Sequence, residues 1–167
     1  MFQSILVATD GSAHAENAVR LATDIAQRYA AKLTIIHVIT DWDIPHELRE
    51  MIEVEHVLAP PGLDLPPSGL LSFERLNPEQ RYQTALALSE KILERAGSAA
   101  QAAGLRQVET VSLEGDAAEV IIDQLRSSEV DLLVVGTRGL GRLGGLVLGS
   151  VSHKVSMLAP CACLIAR

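Results

Sequence analysis

The sequence predicts an α/β protein with a single doubly wound, mostly parallel five-stranded sheet and helices on both of its faces. Short apolar runs of strand length alternate along the chain with longer segments whose apolar residues recur at helical three- and four-residue spacing. Apolar residues make up 48% of the 167 residues and aromatic ones only 3%, so the core must be aliphatic. A chain of this length can bury a sizeable core, and we expect residues 1–167 to form one domain.

The first strand, helix and second strand are predicted within the first 39 residues. The apolar run 5–8 ends at the turn cluster 9–12, where Ser12 is placed to cap a helix. The next strand is predicted at 33–39, and a strand–helix–strand succession predicts a right-handed parallel crossover. The apolar face of the helix consists of Ala15, Ala18, Val19, Ala22, Ile25, Ala26 and Tyr29.

Residues 41–82 form the least regular part of the sequence. A short charged helix could lie at 47–58, and proline-rich breaks follow at 59–62 and 66–69. Because this insertion follows the second strand, it would lie at the edge of the sheet where ligands bind, as a lid. A solvated variable loop or a dimer contact fits the composition equally well.

The second half of the chain continues the alternation of helices and strands. Helices are predicted from Pro78 to about 102, from about 115 to 128 and from about 149 to 158, and strands at 108–113, 132–135 and 162–166. Cys161 and Cys163 alternate within the last apolar run, which places both thiols on one side of it. We expect them to be packed there as free thiols, although a C-x-C pair also occurs in metal and redox sites.

A glycine-rich segment from Gly136 to Ser150 follows the fourth predicted strand and contains Arg138 and Arg142 but no acid. From residue 132 to the end there are four basic residues and no acidic one, in a chain whose net charge is −7. Glycines allow the backbone N–H groups to approach a ligand, and Ser150 and Ser152 lie where the last helix begins, at the positive end of its dipole. This combination predicts an anion site, most simply for phosphate, and the acidic remainder argues against a nucleic-acid surface.

The spacing of the glycines decides between the known phosphate-binding patterns. The Walker pattern is absent, and the match of residues 139–144 to G-x-G-x-x-G lies near the end of the chain with no acid after it to hold a ribose. The remaining pattern is Gly136-x2-Gly139-x9-Gly149-Ser150. With the turn Asp10-Gly11-Ser12, the run 36–39 and the tail from Ala159 to Ile165, it resembles the ATP-binding branch of the universal stress protein family.

The resemblance implies the strand order 3-2-1-4-5 and a nucleotide site at the carboxyl edge of the sheet. It implies that Asp10 and its neighbours line the pocket, that the backbone of Val38 meets the adenine, and that Val135 and Gly136 close the other side. Asp10 would hold the ribose or a phosphate-bound magnesium ion, whereas the residues alone equally allow a role in helix capping or turn formation. The implied nucleotide-binding set is Ala8, Thr9, Asp10, Val38, Val135, Gly136, Arg138, Gly139, Arg142, Gly149, Ser150, Val151 and Ser152.

The predicted function is therefore that of an ATP-binding regulatory protein of the stress response, which signals through changes in its loops or its dimer. The alternatives are a slow ATPase at the same site and a dimeric adaptor without a nucleotide. His37 and His153 are interpreted as a packed or paired residue and a surface residue, so no catalytic residue is assigned. We expect a cytoplasmic homodimer, joined through the edge strand at 162–166, that neither enters membranes nor binds nucleic acid.

Overall fold

The computed structural model describes residues 2–40, 77–137 and 148–167. Nearly all of the predicted insertion, including the suggested helix at 47–58, lies outside these ranges, as do Arg138, Gly139 and Arg142. The strands are β1 (Ser4–Ala8), β2 (Lys32–Ile39), β3 (Val108–Glu114), β4 (Leu132–Gly136) and β5 (Ala162–Ala166). The helices are α1 (Ala13–Tyr29), α2 (Pro78–Ala102), α3 (Ala117–Ser127) and α4 (Ser150–Leu158).

The five strands form one sheet in the order β3-β2-β1-β4-β5, and every neighbouring pair is parallel. One face of the sheet packs under α1 and α2 around Ile5, Val7 and Leu33, and the other packs under α3 and α4 around Leu6 and Leu133. The predicted doubly wound fold and its strand order are confirmed. None of the helices in the three described ranges is long and apolar enough to cross a membrane.

The sheet begins one residue earlier than the apolar pattern predicts because a side chain supports the start of β1. One carboxylate oxygen of Asp131 accepts hydrogen bonds from the backbone N–H groups of Gln3 and Ser4, at 2.7 and 3.0 Å. Asp131 directly precedes β4, which pairs with β1. Its side chain therefore aligns the amino ends of the two central strands.

Three of the described helices begin with a side-chain cap. The side chains of Ser12, Asn77 and Asp116 each accept a hydrogen bond from the backbone N–H three residues later, which satisfies one of the unpaired donors of the first turn. Each of these helices also has a glutamate in its first turn. Helix α4 has Gly149 at the cap position, with neither a side-chain cap nor an acid.

The two cysteines, Cys163 on β5 and Cys161 directly before it, face the same side of the sheet, as the alternation predicts. Cys161 and Cys163 are partly buried free thiols that pack against the hydrophobic cluster under α3 and α4. Burial raises the pKa of both thiols, so they stay protonated and react slowly. This environment is that of packed side chains.

Candidate functional site

The carboxyl ends of β1 and β4 lie side by side, at the point where the strand order changes direction across the sheet. The chain moves from β1 outward through β2 to β3, then returns to the other side of β1 for β4 and β5. The chain leaves β1 for α1 on one face of the sheet and leaves β4 for α4 on the other, which is the arrangement that forms a crevice in doubly wound sheets. Open α/β sheets bind ligands at such points.

Five of the predicted residues lie at or just beyond these two strand ends. Ala8 pairs with Val135 in the ladder between β1 and β4, Thr9 and Asp10 follow β1, and Gly136 ends β4. Val38 lies one strand away on β2, next to the last residue of that strand. The structure therefore brings the predicted N-terminal and C-terminal parts of the site to one edge of the sheet.

The turn after β1, residues 9–12, is held by its own hydrogen bonds. The backbone N–H of Thr9 donates to the carbonyl of Ile36 at 2.9 Å, and the backbone N–H of Ser12 donates to a carboxylate oxygen of Asp10 at 3.0 Å. Gly11 adopts a φ of 80°, in the left-handed region that favours glycine. Asp10 thus has the turn-forming role that its sequence context allows, and the same hydrogen bond fixes its carboxylate at the crevice.

Gly136 is a point of close contact between β4 and the first turn of α1. A Cβ atom at this position would lie 2.9 Å from the carbonyl carbon of His14 and 3.1 Å from the backbone nitrogen of Ala15. The Ser152 hydroxyl donates to the Gly136 carbonyl at 2.7 Å. The glycine was predicted to let a ligand approach, and the structure supplies a further reason for it, the packing of α1.

The two described ends of the glycine-rich segment are joined directly. The backbone N–H of Gly149 donates to the Thr137 carbonyl at 2.8 Å, and the backbone N–H of Thr137 donates to the Ala166 carbonyl at 2.7 Å. Ser150 is exposed and Val151 partly exposed at the start of α4. The first N–H groups of an α-helix have no partner within the helix, so this uncapped end provides donors and a positive dipole beside the end of β4.

Charge pairs on α4 change one interpretation of the basic segment. Lys154 lies 3.2 Å from a Glu119 oxygen and 3.6 Å from an Asp116 oxygen, and these acids raise the pKa of its ammonium group. Both acids belong to the start of α3, so Lys154 joins the two helices on this face of the sheet. Its positive charge is compensated there, so we do not assign Lys154 to the predicted anion site.

Two histidines beside the site have partners that the sequence pattern did not identify. His37 was predicted to be packed or paired, and its Nδ1 lies 2.8 Å from the hydroxyl of Ser89, on α2. His14 Nδ1 lies 3.5 Å from the hydroxyl of Thr137, which is buried. A polar residue within an apolar strand signals such a partner, but the partner itself comes from a distant segment. His153 is exposed, as predicted.

Comparison with known proteins agrees with this architecture. The model of the universal stress protein family matches residues 1–167. The universal stress protein YxiE of Bacillus subtilis (strain 168) is 34% identical over 167 residues, and the alignment covers 100% of both chains. The solved structure of the universal stress protein UspA from Lactobacillus plantarum is 24% identical, with a TM-score of 0.73 over 99% of this chain and 98% of that one.

A second solved structure, a universal stress protein in complex with cAMP, is 25% identical to this chain. Its TM-score is 0.66, and the alignment covers 99% of this chain and 97% of that chain. The family match over the whole chain and the similarity to the curated relative point to the same group as the strand order and the glycine spacing. The chain belongs to the universal stress protein family.

Proposed function

We propose that this protein binds ATP, with magnesium, in the crevice between the ends of β1 and β4. The observation that supports this most directly is the start of α4. It alone among the described helices lacks both a side-chain cap and a first-turn acid, and it lies at the reversal point of the sheet. Unpaired N–H groups and a positive dipole at such a place favour a phosphate group.

Each of the remaining predicted residues is given a role in nucleotide binding by this proposal. The N–H groups of Ser150 and Val151 and the Ser150 hydroxyl bind phosphate oxygens, with Arg138, Gly139 and Arg142 completing the site. Ser152 acts indirectly, because its hydroxyl donates to the Gly136 carbonyl. The backbone of Val38 contacts the adenine, while Ala8, Thr9 and Val135 form the floor of the crevice.

Asp10 is the residue proposed to hold the ribose or the magnesium ion. The described residues contain no group of three His, Cys, Asp or Glu side chains placed to hold a metal by themselves. Magnesium in nucleotide sites is commonly held by one or two carboxylates together with phosphate oxygens, so a single carboxylate at the crevice fits that mode. The bound ion would neutralise phosphate charge, and Asp10 would orient it.

The proposed output is regulatory, through the glycine-rich segment and a homodimer. The backbone N–H of Thr137, where that segment begins, donates to Ala166, the last residue of β5. Within the described residues β5 pairs with β4 alone, and Met157 and Leu158 just before it are 72% and 50% exposed. A second copy that paired along β5 would therefore be connected to the start of the glycine-rich segment through the hydrogen bond between Thr137 and Ala166.

Calorimetric titration with ATP and magnesium tests the proposal. We expect saturable binding by the unsubstituted protein and a loss of at least tenfold in Gly149→Ala/Ser150→Ala. Lys154→Gln is the matched control, because it changes α4 at a charge already paired with α3. Absence of binding at millimolar ATP would refute the nucleotide site, and product analysis of the same samples would separate binding from the ATPase alternative.

A further inference from the structure

A chain of two side-chain hydrogen bonds, with two of its three residues buried, joins β2, α2 and β3. His37 Nδ1 lies 2.8 Å from Ser89 Oγ, which lies 2.7 Å from Ser112 Oγ. Ser89 is completely buried and His37 is 8% exposed, whereas Ser112 is exposed. Because buried polar groups destabilise a fold unless they are paired, the two hydrogen bonds fix the relative positions of these three elements.

The same part of α2 also supports the turn that contains Asp10. A Cβ atom on Gly11 would lie 3.2 Å from Ile92 Cγ1, so the turn rests closely on Ile92, which lies three residues after Ser89. On the other side of Asp10, the Thr9 N–H donates to the carbonyl of Ile36, the residue before His37. Asp10 therefore lies between two contacts that connect its turn to α2 and β2.

The Ser89 hydroxyl has a single hydrogen, so it can donate to only one of its two hydrogen-bond partners, His37 Nδ1 and Ser112 Oγ. Burial lowers the pKa of His37 to about 4, so the ring is neutral near pH 7 and has one N–H. The negative charge of the Asp10 carboxylate shifts that pKa in the opposite direction, by a smaller amount. If Ser89 donates to Nδ1, the single ring proton is on Nε2.

We propose that Ser89 is a positioning residue for the nucleotide site: it holds His37 as the Nε2–H tautomer and so ties β2 to α2, the two elements that support the Asp10 turn. The inference rests on the proposed function, because the purpose assigned to the turn is ligand binding. Ser89 is completely buried and lies on α2, so it acts through His37 and does not contact the nucleotide. Ser112 completes the chain by donating to Ser89 and leaves the Ser89 hydrogen for the imidazole.

Nitrogen NMR of the histidine side chains tests the tautomer independently of any ligand. We expect His37 to show a protonated Nε2 and an unprotonated Nδ1 in the unsubstituted protein and in Ser112→Ala. Ser89→Ala should give a mixture of the two tautomers, because the donor to Nδ1 is gone. A protonated Nδ1 in the unsubstituted protein would overturn the assignment.

A double-mutant cycle with Asp10 tests the positioning role. Ser89→Ala should lower the affinity for magnesium-ATP about tenfold, and should lower it less than twofold further when Asp10→Asn is already present. Thr23→Val is the matched control, since it removes a buried hydroxyl from α1 that, among the described residues, donates to Val19 of the same helix. Its affinity should remain within twofold of the unsubstituted protein.

The outcomes separate this inference from the proposed function. Binding by the unsubstituted protein with no loss in Ser89→Ala, or with the same loss in the Asp10→Asn background, overturns the positioning role alone. Absence of binding by the unsubstituted protein overturns both. Circular dichroism and urea unfolding of each variant show whether a loss of affinity reflects a loss of folded protein.

Discussion

The buried imidazole of His37 predicts a specific loss of stability in mild acid. Its pKa is lowered to about 4 in the folded protein, mainly by burial, whereas an unfolded chain has a histidine pKa near about 6.5. As the pH falls through this window, the unfolded state takes up a proton that the folded state excludes. The contribution of His37 is therefore complete above about pH 6.5 and is lost progressively until the folded-state pKa near 4.

The size of the effect follows from the two pKa values. Lowering the pH from 7.5 to 5 should decrease the free energy of unfolding by about 2 kcal/mol through His37, and the full separation corresponds to about 3 kcal/mol. The backbone N–H groups of Gln3 and Ser4 lower the pKa of Asp131, and that of Glu119 lowers the pKa of Asp116. Their contributions are lost only in stronger acid, so pH 5 separates His37 from them.

Urea unfolding at pH 7.5 and pH 5 measures the effect, with His37→Gln beside the unsubstituted protein. His37→Gln should be less stable at pH 7.5 because the Ser89 contact is altered, but its decrease between the two pH values should be smaller by about 2 kcal/mol. His153→Gln removes an exposed histidine and controls for the change in composition. Equal decreases in the unsubstituted protein and His37→Gln would refute the assignment of a neutral buried ring.

Three further predictions concern β4 and α4. Gly136→Ala should lower the free energy of unfolding by about 1–3 kcal/mol in urea unfolding, because its Cβ would meet the His14 backbone at 2.9 Å, and an unchanged midpoint would contradict this packing. Ser150→Glu should raise the melting temperature by about 1–3 °C through the helix dipole, yet weaken magnesium-ATP binding roughly 5- to 150-fold relative to Ser150→Gln, and tighter binding would contradict the phosphate site. Lys154→Gln should change the unfolding free energy by less than about 1 kcal/mol, since the ion pairs are largely exposed, and should leave ATP titrations unchanged, whereas a large loss of affinity would place its charge at the ligand.

The sequence predicted the elements well because each has a strong local signal. Apolar runs identified the strands, and the side chains of Ser12 and Asp116 mark helix starts that the structure places at the next residue. The strand order came from the resemblance and was confirmed by the ladders. The contacts of Ser89 and Asp131 were not predictable in this way, because each joins residues that are distant in sequence and leaves no periodic pattern.

The start of α4 shows how a helix can begin without a side-chain cap at a small cost in stability. Glycine at the cap position is only a few tenths of a kcal/mol less favourable than serine or aspartate, so Gly149 preserves the helix start while supplying no acceptor to its N–H groups. Those donors are then available to water or to the anion of the proposed site. Because Gly149 also donates to Thr137 at the end of β4, the helix end is fixed at the reversal point of the sheet, the edge where the Asp10 turn also lies and where we propose that the phosphate binds.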